Sequence, residues 1–239
     1  MLWRQHSDAV NLALVRSWWP SESVGRVLKT DLFDEVFGEG LYPFMRLSAG
    51  SISGIDVSES IVSAARRKYP ELQSAVADVR RLPFEDDRFD LVISNSTLDH
   101  FQEASDISLA VGELHRVLRP GGQMVLTLDN LRNPMIALRH VLPFRLLNAL
   151  GLVPYFVGST FGPRGLCRVV GQAGFRVIDT AFVMHCPRLV VVAIAGLLQR
   201  HAKRPAQQQF LRSLMAFEKL SCLPTHSFTG HFVAVRVVK

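Results

Sequence analysis

Cysteines are few in this 239-residue sequence, and long apolar runs are missing. Cys167, Cys186 and Cys222 are widely spaced and form no CxxC pair. This argues against a disulfide framework and a thiolate zinc site, and it favours a reducing compartment. No stretch reaches the roughly 18 apolar residues of a membrane-spanning helix, and Asp8 lies where a signal peptide would be apolar. We therefore expect a cytoplasmic protein that at most touches a membrane surface.

Acidic residues are almost missing from the second half of the chain. Residues 1–131 contain 13 Lys/Arg and 19 Asp/Glu, whereas residues 132–239 contain 14 Lys/Arg and only two acids. Such an asymmetry indicates that the two halves face different ligands or surfaces. A cationic ligand suits the acidic half, and an anionic substrate, phosphate or acidic lipid headgroup suits the basic half. A solvated basic surface is an equally good explanation.

Apolar runs of strand length alternate with amphipathic segments of helix length. The predicted strands lie at residues 24–32, 52–57, 72–77, 89–95, 123–129, 175–183 and 231–238. The predicted helices between them include residues 7–19, 58–68, 103–118 and 163–173, with Ser7 or Asp8 as the N-cap of the first. This alternation predicts an α/β, Rossmann-like, doubly wound sheet of seven strands, mostly parallel, with the last strand antiparallel.

Two segments interrupt the alternation of strands and helices. Residues 131–162 and 187–222 follow the fifth and sixth predicted strands. Loops at strand ends build the sites of such sheets, so we expect helical cap insertions within a single domain, residues 1–239, whose core is 24–130. The insertions carry large apolar side chains that suit a lipophilic acceptor, although ordinary packing explains them equally well. These are Phe144, Leu146, Leu147, Tyr155 and Phe156.

Several short motifs follow one another in a fixed order. Asp56 ends the second predicted strand in GIDVS, and Asp78 follows the third in AVADVRRLPFEDDRFD. The strand FDLVISN with its tail STLDHF comes next, and then the helix end ELHRVLRPGG. In this order the sequence resembles the class I S-adenosylmethionine-dependent methyltransferases, most closely the ubiquinone and menaquinone C-methyltransferases. The resemblance covers about residues 24–130. A dehydrogenase would instead need GxGxxG after the first strand, and the sequence has none.

The resemblance implies a set of residues that bind S-adenosylmethionine. An acid that ends the second strand can accept hydrogen bonds from both ribose hydroxyls, which assigns that role to Asp56. In the family, the residue that matches Asp78 accepts from the exocyclic amine of adenine. Val57 and Val79 would then flank the adenine ring, and Asn95 lies where the family brings methyl donor and acceptor together.

The loop after the first strand departs from the family pattern of an acid followed by GxGxG. The chain reads VLKTDLFDEVFGEG. In one register Asp31 is the acid and Phe33 occupies a glycine position. In the other register Asp34 is the acid, and Gly38 and Gly40 fill the later glycine positions. The sequence leaves both registers open, and the lost glycines weaken the prediction for the methionine end of the cofactor.

Two residues after the fourth strand are candidates for a general base. His100 and Asp99 lie in STLDHF, where a base could remove the acceptor's proton. His185, at the end of the sixth strand, is a further candidate. A histidine at a strand end is more often a structural hydrogen-bonding residue.

Two functions from different classes fit these features. The first is S-adenosylmethionine-dependent methylation of a small-molecule or lipid-like acceptor, with an anionic acceptor and O-, N- and C-methylation all left open. The second is a catalytically inactive binding or scaffold protein with the methyltransferase fold. We expect no nucleic-acid substrate, because SNSTL lacks the Pro-Pro-aromatic signature and the basic residues are not interleaved with aromatics. The metal-ligand spacings that would predict a metal site are also missing.

Overall fold

The computed structural model describes residues 2–149 and 158–239, without the side chain of Leu146. The predicted cap residues Tyr155 and Phe156, and the Leu146 side chain, therefore lie outside the described residues.

Seven strands form one mixed sheet in the order β3-β2-β1-β4-β5-β7-β6. Strands β1 to β5 pair in parallel, and β7 runs antiparallel to its neighbours β5 and β6. This confirms the predicted fold class. The strands are β1 (Val24–Lys29), β2 (Ala49–Asp56), β3 (Gln73–Val76), β4 (Phe89–Asn95), β5 (Leu118–Asp129), β6 (Arg176–Val183) and β7 (Phe232–Val238).

The helices of the described residues lie between these strands and before the first one. They are α1 (Leu2–Ser17), α2 (Phe33–Phe37), α3 (Tyr42–Ser48), α4 (Glu59–Lys68), α5 (Ala104–Val117), α6 (Pro134–Val141), α7 (Phe144–Ala149), α8 (Pro163–Gln172), α9 (Arg188–His201), α10 (Arg204–Ala216) and α11 (His226–Thr229). None of the helices described is both long enough and apolar enough to cross a bilayer.

The central strands are apolar on both faces because each face supports its own core. Along β4, Leu91 and Ile93 point into one core and Val92 into the other, as the two-residue period of a strand requires. Helices α1, α9 and α10 pack on the first face. Helices α5 and α8 pack on the second. The sheet is thus covered by helices on both sides.

Several predicted boundaries need correction. Strand β2 begins at Ala49, not at residue 52, and β5 begins at Leu118, not at residue 123. Helix α1 begins at Leu2, so neither Ser7 nor Asp8 is its N-cap. The Asp8 carboxylate instead accepts a hydrogen bond from the backbone N–H of Glu39, at 3.0 Å, in the loop before α3. Strand β1 ends at Lys29, not at residue 32, because the chain turns away over the end of β2.

Candidate active site

A cavity of about 510 Å³ lies at the carboxyl ends of β1, β2, β4 and β5. The chain order reverses between the adjacent strands β1 and β4, and such a switch point is where open α/β sheets form their ligand crevice. Helix α1 covers the cavity with Trp3, Arg4, Ser7 and Asn11, and α6 and α9 each add an arginine to its wall. The cavity therefore brings together the sheet edge and parts of both insertions.

One end of the cavity is acidic. Asp31, Asp34 and Asp56 line it, and Asp34 is ion-paired with Arg4. The two oxygens of Asp56 accept hydrogen bonds from the backbone N–H groups of Ser58, at 2.8 Å, and Leu32, at 3.2 Å. These bonds fix the carboxylate at the end of β2. Since a carboxylate has about four acceptor sites, lone pairs remain for hydroxyl groups of a ligand.

The loop after β1 is held by a buried ion pair. The Lys29 ammonium lies 2.8 Å from Oε2 of Glu35, and both side chains are buried. Oε1 of Glu35 accepts from the backbone N–H of Leu41 at 2.9 Å. The pair ties the end of β1 to the start of α3. This linkage was missed from the sequence, where Lys29 looked like one more residue of a strand.

The two glycines of the second register do not line the cavity. A Cβ at Gly38 would clash with Oδ2 of Asp8, so this glycine allows α1 to approach closely. Gly40 has a positive φ of 61°, and a Cβ there would lie 2.6 Å from Oε1 of Glu35. Both acids that the sequence left as alternatives, Asp31 and Asp34, lie in the cavity wall.

Asn95 is a buried polar residue in the cavity wall at the end of β4. Its side chain is 7% exposed, and neither Oδ1 nor Nδ2 has a hydrogen-bond partner among the described residues. Unpaired buried amide atoms are costly, and a bound ligand that donates and accepts hydrogen bonds removes the cost.

The backbone just after Asn95 is strained. Ser96 has a positive φ of 48°, and its N–H donates to the carbonyl oxygen of Thr127 at 3.1 Å and to the Thr127 hydroxyl at 3.0 Å. Such strain is retained where neighbouring contacts fix the conformation, and it concentrates at functional sites.

Asp99 is a buried carboxylate that lines the cavity. It is 1% exposed; Oδ2 accepts from the Ser96 hydroxyl at 2.7 Å, and Oδ1 has no hydrogen-bond partner among the described residues. Burial, and after it the nearby Asp129 carboxylate, raise the pKa of Asp99 to about 6. The half-exposed His100 also lines the cavity, and its Nε2 lies 4.0 Å from Oδ1 of Asp99.

The other end of the cavity contains a charge network that sequence reasoning missed. Asp129, at the end of β5, pairs with Arg139 of α6 and lies 3.2 Å from Nε2 of His231. Nη1 of Arg188, the first residue of α9, is 2.9 Å from the same His231 nitrogen. Burial alone would raise the pKa of Asp129, but the hydrogen bond from His231 and the charge of Arg139 hold that pKa below its usual range. In the sequence, the only sign of this network was an acidic residue, Asp129, at the end of the fifth predicted strand.

Besides Gly38, three of the predicted cofactor residues lie outside the cavity wall. Asp78 is hydrogen-bonded to Arg80 at 2.6 Å, and these hydrogen bonds lower the pKa of Asp78. Val79 is buried in the core on the α5 side of the sheet, and Val57 is exposed. The structure thus brings Asp31, Asp34, Asp56, Asn95, Asp99 and His100 together.

His185, the alternative base, is a buried structural residue. Its Nδ1 is hydrogen-bonded to the Thr229 hydroxyl at 2.7 Å and its Nε2 to the carbonyl oxygen of Phe182 at 2.9 Å. Nδ1 thus joins the end of β6 to α11, Nε2 bonds back to β6, and the residue does not line the cavity.

The fold and the cavity define a class of protein that known structures share. The chain superposes on the [4+2]-cyclase SpnF with a TM-score of 0.63 at 22% identity, covering 98% of this chain and 81% of that one. It superposes on a phosphoethanolamine N-methyltransferase from Haemonchus contortus in complex with S-adenosyl-L-methionine with a TM-score of 0.63 at 18% identity, covering 96% of this chain and 52% of that one. These likenesses show the class I methyltransferase fold.

Sequence comparison then gives the kind of domain. A family profile described as a methyltransferase domain matches residues 37–126. A demethylmenaquinone methyltransferase from Chlorobaculum parvum is 27% identical over 146 residues, which are 55% of this chain and 58% of that protein. The longest matches to curated relatives cover only about half the length of those relatives. The resemblance seen in the motifs is thereby confirmed, and S-adenosylmethionine is the cofactor of this kind of domain.

Proposed function

We propose that the protein transfers a methyl group from S-adenosylmethionine to a small-molecule or lipid-like acceptor in the cytoplasm. The observation that supports this most is that Asp56, at the acidic end, and Asp99, near the basic network, line one and the same cavity. In the sheet, the ends of β1 and β4 lie between Asp56 at the end of β2 and Asp129 at the end of β5, and Asp99 is close to Asp129. Donor and acceptor must meet in line for methyl transfer, and one continuous cavity allows this.

The acidic end fits the cofactor. S-adenosylmethionine supplies a methyl group on a positively charged sulfur. Asp56, already oriented by two backbone N–H groups, would accept from the ribose hydroxyls. Asp31 adds a negative charge that attracts the ammonium and sulfonium, whereas the charge of Asp34 is compensated by Arg4. Asn95 offers unpaired amide atoms where the two ends of the cavity meet.

The basic end fits the acceptor. Arg139 and Arg188 come from the two insertions, which supports the assignment of 131–162 and 187–222 as caps on the 24–130 core. Asp99 is the general base in this proposal, because its carboxylate lines the cavity and its pKa of about 6 leaves it ionised at neutral pH. His100, on the more exposed side, would carry the proton away.

The alternative of an inactive binding protein is favoured by one observation. In the first register Phe33 occupies a glycine position of the family, and the loop after β1 is held by the buried Lys29–Glu35 pair. The likeness to a cyclase also shows that this fold hosts reactions other than methyl transfer.

The test is the formation of S-adenosylhomocysteine from S-adenosylmethionine in the presence of acceptor classes: a reduced polyprenyl quinone, a long-chain carboxylate and a phosphorylated amine. We expect turnover with one class and a mass gain of one methyl group in that acceptor. Asp99→Asn should lower kcat by about 100- to 10,000-fold without weakening cofactor binding, since a general base contributes about that much. Cofactor binding without turnover on any class, or in a metabolite extract, would favour the inactive alternative.

A further inference from the structure

Helix α9 exposes an unbroken aliphatic surface, which we call the α9 face. No charged residue occurs between Arg188 and Arg200, and the exposed side chains from Leu189 to Leu197 are aliphatic. The exposed members are Leu189, Val190, Val192, Ile194 and Leu197. Scattered exposed apolar residues are ordinary, but a contiguous group on one helix marks an interaction surface.

The α9 face is not needed to hold the helix on the protein. Val191 and Ala195, one helical turn apart, are buried, and Val191 belongs to the core that also contains residues of α1 and α10. The helix is therefore anchored by its inner side alone. Packing against the rest of the protein therefore does not explain why the outer side of α9 is apolar.

The surroundings of the α9 face are basic. Residues 187–216, which include α9 and α10, contain no Asp or Glu. Arg200, Lys203, Arg204 and Arg212 are exposed at the end of α9 and along α10. An apolar helix face with a basic border and no acid is the pattern of helices that lie in the interface of an anionic bilayer.

The α9 face adjoins the rim of the active-site cavity. Arg188 begins α9, and Arg139 lies on α6; both line the cavity and converge on Asp129 and His231. Helix α6 in turn exposes Met135, Leu138 and Val141. A partner that docks on the α9 face would therefore lie close to the cavity rim.

We propose that the α9 face docks on a lipid bilayer with anionic headgroups and brings the cavity rim to the membrane surface. A bilayer fits better than a folded partner, because protein interfaces are enriched in aromatic residues and specific hydrogen bonds, and the α9 face has neither. This proposal goes beyond the methyl transfer proposed above, since docking requires neither cofactor nor turnover.

The test is sedimentation of the full chain with vesicles. We expect binding to vesicles of phosphatidylglycerol and phosphatidylcholine, and much weaker binding to phosphatidylcholine alone. Leu197→Glu should weaken binding to the anionic vesicles at least tenfold. The matched control is Leu109→Glu on α5, because both leucines are 60% exposed and α5 packs on the opposite face of the sheet. The control introduces the same charge and should leave binding within twofold of the unmodified chain.

Three results would overturn the proposal. One is no sedimentation of the unmodified chain with anionic vesicles. Another is equal weakening by the two substitutions, which would make net charge alone responsible. The third is a dimer in light scattering that Leu197→Glu dissociates while vesicle binding persists, because a second copy would then occupy the face. Thermal unfolding and S-adenosylhomocysteine binding of both variants should match the unmodified chain, which separates this test from that of the proposed activity.

Discussion

At the scale of single residues, the ionisation of the buried Asp99 carboxylate in the cavity affects the stability of the folded protein. Its pKa is raised to about 6, above the value of an unfolded chain, so the folded state holds this proton more tightly. The folded protein therefore loses stability as pH rises from about 4 through about 6. Asp99→Asn removes the ionisation and keeps an oxygen that can accept from Ser96. We expect the variant to melt several degrees above the unmodified protein at pH 8, with little difference at pH 4.5.

Thermal unfolding by circular dichroism at a series of pH values measures this difference. Asp86→Asn, at an exposed carboxylate, is the control and should show no such pH dependence. A gain from Asp99→Asn that is the same at both pH values would mean that Asp99 is not protonated near pH 6.

The buried pair of Lys29 and Glu35 makes a second residue-scale prediction. Glu35→Gln keeps the acceptor for Leu41 but leaves the buried ammonium without its carboxylate. Breaking a buried pair on one side costs about 3–5 kcal/mol, so denaturant unfolding should show a loss of that size. Lys29→Met should cost a similar amount, and Lys29→Met with Glu35→Gln should cost clearly less than the two single changes together. Additive losses would show that the two charges do not stabilise each other.

At the scale of elements, α6 depends on its N-cap. Oδ1 of Asn133 accepts from the backbone N–H of Met135 at 3.0 Å, and Nδ2 donates to the carbonyl oxygens of Thr229 and Gly230, both at 3.2 Å. Asn133→Asp retains the cap but loses the two hydrogen bonds that Nδ2 donates, whereas Asn133→Ala loses the cap and both of these hydrogen bonds. We expect Asn133→Ala to lower the free energy of unfolding by about 1–2 kcal/mol.

Asn133→Ala removes the contacts that hold the start of α6, the helix that contains Arg139, so it should also increase hydrogen exchange of the α6 amides. Asn133→Asp should do so as well, because it loses the hydrogen bonds that Nδ2 donates. Exchange that increases only with Asn133→Ala would show that the helix is held by its cap and not by the link to the loop before β7.

The sequence was most informative about elements with strong periodicity. Strand β4 was predicted at residues 89–95 and is observed at Phe89–Asn95, and Ser58, the first residue of the helix predicted at 58–68, is the N-cap of α4. Helix α1 was misplaced at its start, because the sequence favours Ser7 or Asp8 as a cap and cannot show that Asp8 bonds to the loop before α3. Local propensity identified the helix, but tertiary hydrogen bonds set its limits.

At the scale of the whole molecule, the two halves of the sequence contribute opposite charges to the two ends of one cavity. The acidic half supplies the carboxylates at one end, and the basic half supplies the arginines at the other. Asp31, Asp34 and Asp56 follow strands in the acidic half, so the parallel topology was enough to place them together. The network of Asp129, Arg139, Arg188 and His231 could not be predicted in the same way. Its members are spread over about a hundred residues and meet only because β7 returns antiparallel to β5.

The most direct test of the account is calorimetric titration with S-adenosylhomocysteine. The central claim is that the Asp56 carboxylate holds the ribose of the cofactor in the cavity. We expect the unmodified chain to bind and Asp56→Asn to raise Kd about 10- to 100-fold, as the loss of charge-assisted hydrogen bonds of about 1.5–3 kcal/mol implies. Asp86→Asn should bind as the unmodified chain does. An unchanged Kd for Asp56→Asn, or no binding by the unmodified chain, would contradict the account.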